Sequence, residues 1–177
     1  MMRRAGLATL AVALSIGLSG CGEGAKKEYA IPTSLCGVSV DQELLEPLLP
    51  PGKKIEVRND PYAKGVPRTA CVARVDGDVW LTVYGEWREA GFTALQAAED
   101  KVVGGGSFGT AENGKVYSWN RGAATAFPCR SEDWGAYSAA VEVVERDDRE
   151  ANVKALETFI TPYGEALAKT LPCEDSA

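Results

Sequence analysis

The stretch Cys71-Val72-Ala73-Arg74-Val75-Asp76-Gly77-Asp78-Val79-Trp80-Leu81-Thr82-Val83-Tyr84 decides the fold. Two runs rich in β-branched and aromatic residues, 71–75 and 78–84, flank an Asp-Gly pair. That pair accepts two successive positive φ angles and so closes a two-residue hairpin. Side chains alternate across a strand, which puts Val79, Leu81 and Val83 on one face and Trp80, Thr82 and Tyr84 on the other. The chain is therefore built on an antiparallel ribbon with an aliphatic face that needs cover.

Working outward, Asn113-Gly114 predicts a second hairpin joining 107–111 to 115–119, and Asn120-Arg121-Gly122 turns the chain into a strand over 123–129. Over 137–145, Tyr137, Ala139, Val141 and Val143 alternate with Ser138, Ala140 and Glu142, the pattern of a further strand. Leu44, Leu45 and Leu48 predict a short helix over 41–49, stopped by Pro50-Pro51-Gly52. Thr93 and Gln96 form a capping box ahead of a second short helix, with Phe92, Leu95, Ala98 and Val102 as its stripe and Gly104-Gly105-Gly106 as its end. Asp147 and Glu150 read as the capping box of a longer C-terminal helix striped by Leu156, Phe159, Ile160, Tyr163, Leu167 and Leu171, which Pro162 should kink or interrupt. The expectation is an α+β fold: an antiparallel sheet of about five or six strands covered on one face, two short helices and a longer C-terminal helix.

At the N-terminus, Met1-Met2-Arg3-Arg4 places two positive charges ahead of residues 5–18, a run without charge. That run is shorter than the roughly 20 residues a spanning helix needs, so residues 1–20 read as an export signal. Leu18-Ser19-Gly20-Cys21 at its end resembles the lipobox of bacterial lipoproteins. The resemblance implies a lipid on the Cys21 thiol and a protein held at the extracytoplasmic face of the cell membrane. An ordinary secretory signal and a twin-arginine route through Arg3-Arg4 stay open beside it. Residues 21–30 then read as a flexible tether, and residues 31–177 as a single extracytoplasmic domain.

Setting Cys21 aside leaves Cys36, Cys71, Cys129 and Cys173, an even number in an oxidising setting, and two disulfides are the default. Of three connectivities, sequential pairing and element order favour Cys36 with Cys71 and Cys129 with Cys173. No CxxC occurs and the chain has no histidine, so no metal site and no cofactor is expected. Removing residues 1–20 leaves 17 basic against 25 acidic residues, a net charge of −8. Such a surface argues against nucleic acid as a partner.

Leu35-Cys36-Gly37-Val38, Cys71-Val72-Ala73 and Leu171-Pro172-Cys173, set behind the lipobox and a spacer, resemble uncharacterised small lipoproteins of actinobacteria. That likeness implies a disulfide-stapled α+β domain at the cell surface and supplies no catalytic residues.

Candidate chemistry is sparse. Gly104-Gly105-Gly106-Ser107-Phe108-Gly109 spells GxGxxG, but a helix precedes it and a strand follows, the reverse of a dinucleotide site. Carboxylate pairs at Glu86 and Glu89, Glu132 and Asp133, and Asp147 and Asp148 suit surface solvation as well as glycoside hydrolysis. The aromatic segment is more suggestive, with Trp80, Tyr84 and Trp87 as possible binding residues. Two readings follow: noncatalytic binding of a small ligand, cell-wall polymer or envelope protein, or a carboxylate-dependent envelope hydrolase. Location is the more accessible test. Cys21→Ser is expected to abolish incorporation of a clickable fatty acid, because an alcohol does not replace the thiol in the thioether. Undiminished label would remove the lipoprotein reading.

Overall fold

A computed structural model describes residues 26–60, 68–102, 107–143 and 152–174. Cys21 and the lipobox, Gly104-Gly105-Gly106, and the Asp147, Asp148 and Glu150 carboxylates lie outside the described residues.

The fold is α+β. Its main sheet has seven antiparallel strands: β3 (Ile55–Asn59), β4 (Arg68–Val75), β5 (Asp78–Arg88), β6 (Gly109–Ala111), β7 (Val116–Trp119), β8 (Gly122–Pro128) and β9 (Ala136–Val143). They lie in the order β3-β4-β5-β9-β8-β7-β6. A separate two-stranded ribbon, β1 (Ser34–Leu35) and β2 (Val38–Ser39), precedes them. The expected five or six strands thus become seven in the main sheet. The missed one is β3, whose Ile-Glu-Val-Arg-Asn alternates over only five residues directly after a Pro-Pro-Gly-Lys-Lys turn.

The Asp76-Gly77 turn forms as its residue types dictate, with φ of 52° and 93°. Cys36-Gly37 turns β1 into β2 in the same way, at φ 50° and 93°. In β5 the register slips: Ala73 faces Leu81 while Arg74 faces Val79, which leaves Trp80 as the extra residue of a β-bulge. Val79 is half-buried there and does not share the core face of Leu81 and Val83, contrary to simple alternation.

Helix α1 (Gln42–Leu45) is capped by Asp41, whose carboxylate accepts from the Glu43 amide, and it tightens into a 3-10 turn at Glu46–Leu48, where Pro47 brings no amide donor. Helix α2 (Ala94–Glu99) has the expected capping box of Thr93 and Gln96, but its fully buried residues are Ala94, Ala97 and Ala98 rather than Leu95. Helix α3 (Val153–Ala168) is capped by Asn152, whose side chain accepts from the Ala155 amide, so the described helix opens later than Asp147 and Glu150 suggested. It also continues through Pro162. Pro162 offers no amide to the carbonyl of Thr158 four residues before it, and Thr158 is exposed.

Helices cover both faces of the sheet, not one. On one face α3 and the N-terminal segment bury Leu35, Leu45, Leu81, Val83, Val116, Ala123, Ala139 and Val141. On the other, α2 packs over Trp119, Ala124 and Ala140. Six consecutive residues of β9, Ala136 to Val141, are buried as a result. Glycine makes the central packing possible at one point: a Cβ on Gly85 would collide with the Tyr137 hydroxyl and lie 2.9 Å from Thr69 Oγ1. Tyr137 threads its hydroxyl across β5 to share a 3.3 Å hydrogen bond with Thr69. Its ring meets Trp87 edge-on at 5.0 Å and stacks on Phe127 at 5.9 Å.

Two disulfides staple the ends of this frame. Cys36 joins Cys71, tying the β1–β2 turn to β4, and Cys129 joins Cys173, tying the chain beyond β8 to the chain beyond α3. Where the expected tether is described, from Lys26 onward, it is held: Gly52 N donates to Lys26 O at 3.2 Å and Glu28 N donates to Gly52 O at 2.7 Å. The Tyr29 hydroxyl donates to Pro50 O, and burial, with the Asp76 and Glu46 charges, pushes its pKa up to about 12.

Gly85→Ala is expected to lower stability by about 1–3 kcal/mol through overpacking against Tyr137. Adding Tyr137→Phe, which removes the colliding oxygen, should make the pair of changes less than additive in urea melts. Strict additivity would show that the collision is relieved elsewhere.

Candidate functional site

The three aromatic side chains singled out from sequence do not form one surface. Tyr84 lies on the α2 face, packed at the edge of the cluster around Trp119. Trp87 lies on the opposite face, half-buried against the main core with its ring on Tyr137. Trp80 occupies the bulge, half-buried. The reason is parity: with a period of two, residues 84 and 87 of one strand must face opposite ways. The covered faces then give Trp87 and Tyr84 packing roles, and α3 covers the aliphatic face rather than the Tyr84 face.

The strand ends of β5 carry charge that α2 shields. Glu86, with a 12% exposed side chain, pairs with Arg88 and with Lys101 at 3.4 Å. Arg88 also reaches Asp100 at 2.8 Å and Ser138 Oγ at 3.4 Å. The Lys101 ammonium sits 3.9 Å from the Tyr84 ring centroid and the Arg88 guanidinium 4.4 Å from that of Phe92, both within cation–π range. These contacts clip α2 and its flanks to the sheet. Glu86 is thereby committed to two cations, while Glu89 is exposed at the strand end, so the two do not act as a carboxylate pair. Glu132 and Asp133 are likewise exposed. No group of three or more His, Cys, Asp or Glu able to hold a metal occurs among the described residues.

Beneath α2, Trp119 is 4% exposed and its ring lies flat on Gly122, where any Cβ would collide with it. Its Nε1 has no hydrogen-bond partner among the described residues.

A concavity of useful size among the described residues lies elsewhere, between α3 and β8. It is a groove of about 430 Å³, large enough for a small ligand or a short polymer segment. Phe127, Ala126 and Thr125 of β8 form one wall, and Thr161, Gly164 and Ala168 of α3 the other. Gly164 sets the close approach of the walls, since a Cβ there would stand 3.0 Å from Thr125 Cγ2. Glu112, Lys115 and Glu165 bring charge to the rim. Thr161 Oγ1 donates to Glu112 Oε1 at 2.9 Å, and Thr125 Oγ1 donates to Lys115 O at 3.0 Å, bracing the entrance. The Cys129–Cys173 bond joins the chain just past Pro128 to the chain just past Ala168, so both walls are pinned at the same end. A second pocket, of about 30 Å³ between α1 and α3, holds a water or two at most.

Helix α3 also carries an aromatic stack in the main core. Phe159 and Tyr163 lie 5.4 Å apart, and burial raises the Tyr163 pKa, as it does that of Tyr137. These hydroxyls stay neutral structural groups.

No protein-family model matches the chain, and no curated protein or solved structure matches it either.

Trp87→Ala is expected to destabilise the domain by about 2–4 kcal/mol, because it opens space beside Tyr137. An unchanged thermal melt would return Trp87 to the list of free contact residues.

Proposed function

We propose that this protein is a membrane lipoprotein, anchored through Cys21 at the extracytoplasmic face of the bacterial cell membrane, that works by noncatalytic binding of a cell-wall polymer or an envelope protein. The sequence supports the location through the charged start, the apolar run and Leu18-Ser19-Gly20-Cys21. The two cystines agree with an oxidising compartment. The likeness to small actinobacterial lipoproteins points the same way.

The observation that carries the binding reading is the groove between α3 and β8. It combines an apolar ring, hydroxyls and rim charges of both signs between walls that a disulfide holds at one end. Preformed walls lower the ordering entropy lost on binding. The aromatic segment 80–87 contributes to this reading only indirectly, through Trp87 and Tyr137 behind Phe127.

One observation favours the hydrolase reading. Glu112 and Glu165 line the same groove, and paired carboxylates are what glycoside hydrolysis requires.

One set of variants separates the two. Lys115→Glu and Glu165→Lys change exposed rim positions and should alter stability by no more than about 0.5 kcal/mol. Retention on purified cell wall, or crosslinking to solubilised membrane proteins, should fall about tenfold, or 1.4 kcal/mol. Glu112→Gln with Glu165→Gln should leave binding largely in place, and loss of soluble sugar release in that variant would establish the hydrolase instead. Binding indifferent to every one of these changes would remove the groove from the function.

A further inference from the structure

We infer that the corner formed by Lys26, Gly52 and the Asp76-Gly77 turn is a membrane-facing surface, whose partner is the bilayer leaflet that holds the lipid on Cys21. The inference extends the lipid-anchor reading above and depends on it.

The corner is rigid. Lys26 and Glu28 bond to the backbone of Gly52, and Lys27 forms a parallel bridge with the same residue. The Lys27 ammonium donates to Glu46 O at 2.6 Å. Gly52 in turn presses on the hairpin: a Cβ there would collide with Val75 and lie 2.8 Å from Asp76 Oδ2. The Asp76 carboxylate accepts from the amides of Lys53, at 3.1 Å, and Lys54, at 2.9 Å. The chain is therefore fixed to the turn end of the sheet from Lys26 onward.

Only Gly22, Glu23, Gly24 and Ala25 separate Lys26 from Cys21. Five backbone steps extend at most about 18 Å. Strand β5 runs from Asp78, beside this corner, to Arg88 at the far end of the sheet. At about 3.3 Å per residue, less the bulge, the two ends stand roughly 30 Å apart. Turning the far end onto the membrane would lift Lys26 by about 30 Å, beyond the reach of an 18 Å tether. The tether therefore excludes the inverted orientation and keeps the Lys26 corner within about 18 Å of the headgroups. Exposed Lys53 and Lys54 lie on the same corner, with the Lys54 ammonium paired to Glu56 at 2.6 Å.

The orientation sets the groove's address. Its residue Pro128 pairs with Ala136, which pairs with Arg88 at the far end. The groove consequently lies toward the end of the sheet farther from the bilayer.

The test uses the full chain, expressed with its signal in a bacterial host and reconstituted in phosphatidylglycerol vesicles that carry a headgroup-labelled acceptor lipid. A donor fluorophore is placed at Lys53→Cys or at Glu89→Cys, both exposed positions at opposite ends of β5. The height difference predicts energy transfer at least about twofold greater from position 53. Inserting twenty Gly/Ser residues after Gly24 should bring the two values together. Mass spectrometry of the same preparations reads the lipid on Cys21. Lipid present with equal transfer from both positions, or an unaltered difference with the long tether, overturns the orientation alone. Absence of lipid on Cys21 overturns the anchor reading and the orientation with it.

Discussion

Strand β9 is buried on both faces, and the rest of the architecture depends on that. Tyr137, Ala139 and Val141 meet α3 and the N-terminal segment, while Ala140, one residue out of step, lies under α2. A strand walled in twice needs every backbone group paired and side chains small enough for two helices to approach. Both needs are met: β5 and β8 bond along the length of β9, and its buried run, 136–141, reads Ala-Tyr-Ser-Ala-Ala-Val. The one large residue, Tyr137, fits because Gly85 on the neighbouring strand has no side chain. Larger residues at Ala139 or Ala140 would push one helix away from the sheet.

That double burial also marks the limit of what the sequence makes legible. The Asp76-Gly77 hairpin and the Thr93 capping box were readable because each is a local preference that the fold leaves alone, and Asn113-Gly114 marked a hairpin whose loop widens to residues 112–115. The second covered face was not readable. Ser138 and Ala140 are compatible with solvent or with a helix, and only long-range packing decides which. Residue Trp80 illustrates a different failure, since a bulge is set by pairing with β4 and breaks the alternation from which the facing of Val79 was inferred. The groove between α3 and β8 was illegible for a third reason. Its residues come from three separated segments, around positions 112, 125 and 161, and no motif links them.

Charge is handled by placement rather than by quantity. Among the described residues most acidic side chains are exposed, whereas a shielded ionic cluster forms at the α2 edge, where Glu86 answers both Arg88 and Lys101. Aromatic rings beneath those cations add attraction without requiring another carboxylate. A short helix of six residues is too small to hold its place by propensity, and this ionic and aromatic edge supplements its alanine face.

The Cys36–Cys71 bond has a mechanical consequence. A load entering through the chain ahead of Lys26 can peel no more than the segment up to Cys36 before the crosslink diverts it into β4. Residues 37–70 then lie inside a closed loop that carries no tension. A pull along the axis of β4 strains its bonds to β3 and β5 together in shear instead of one after another like a zip. The domain is thus wired to yield at its first few residues and to resist beyond them, with the sheet acting as the anchorage and the leading segment as a fuse.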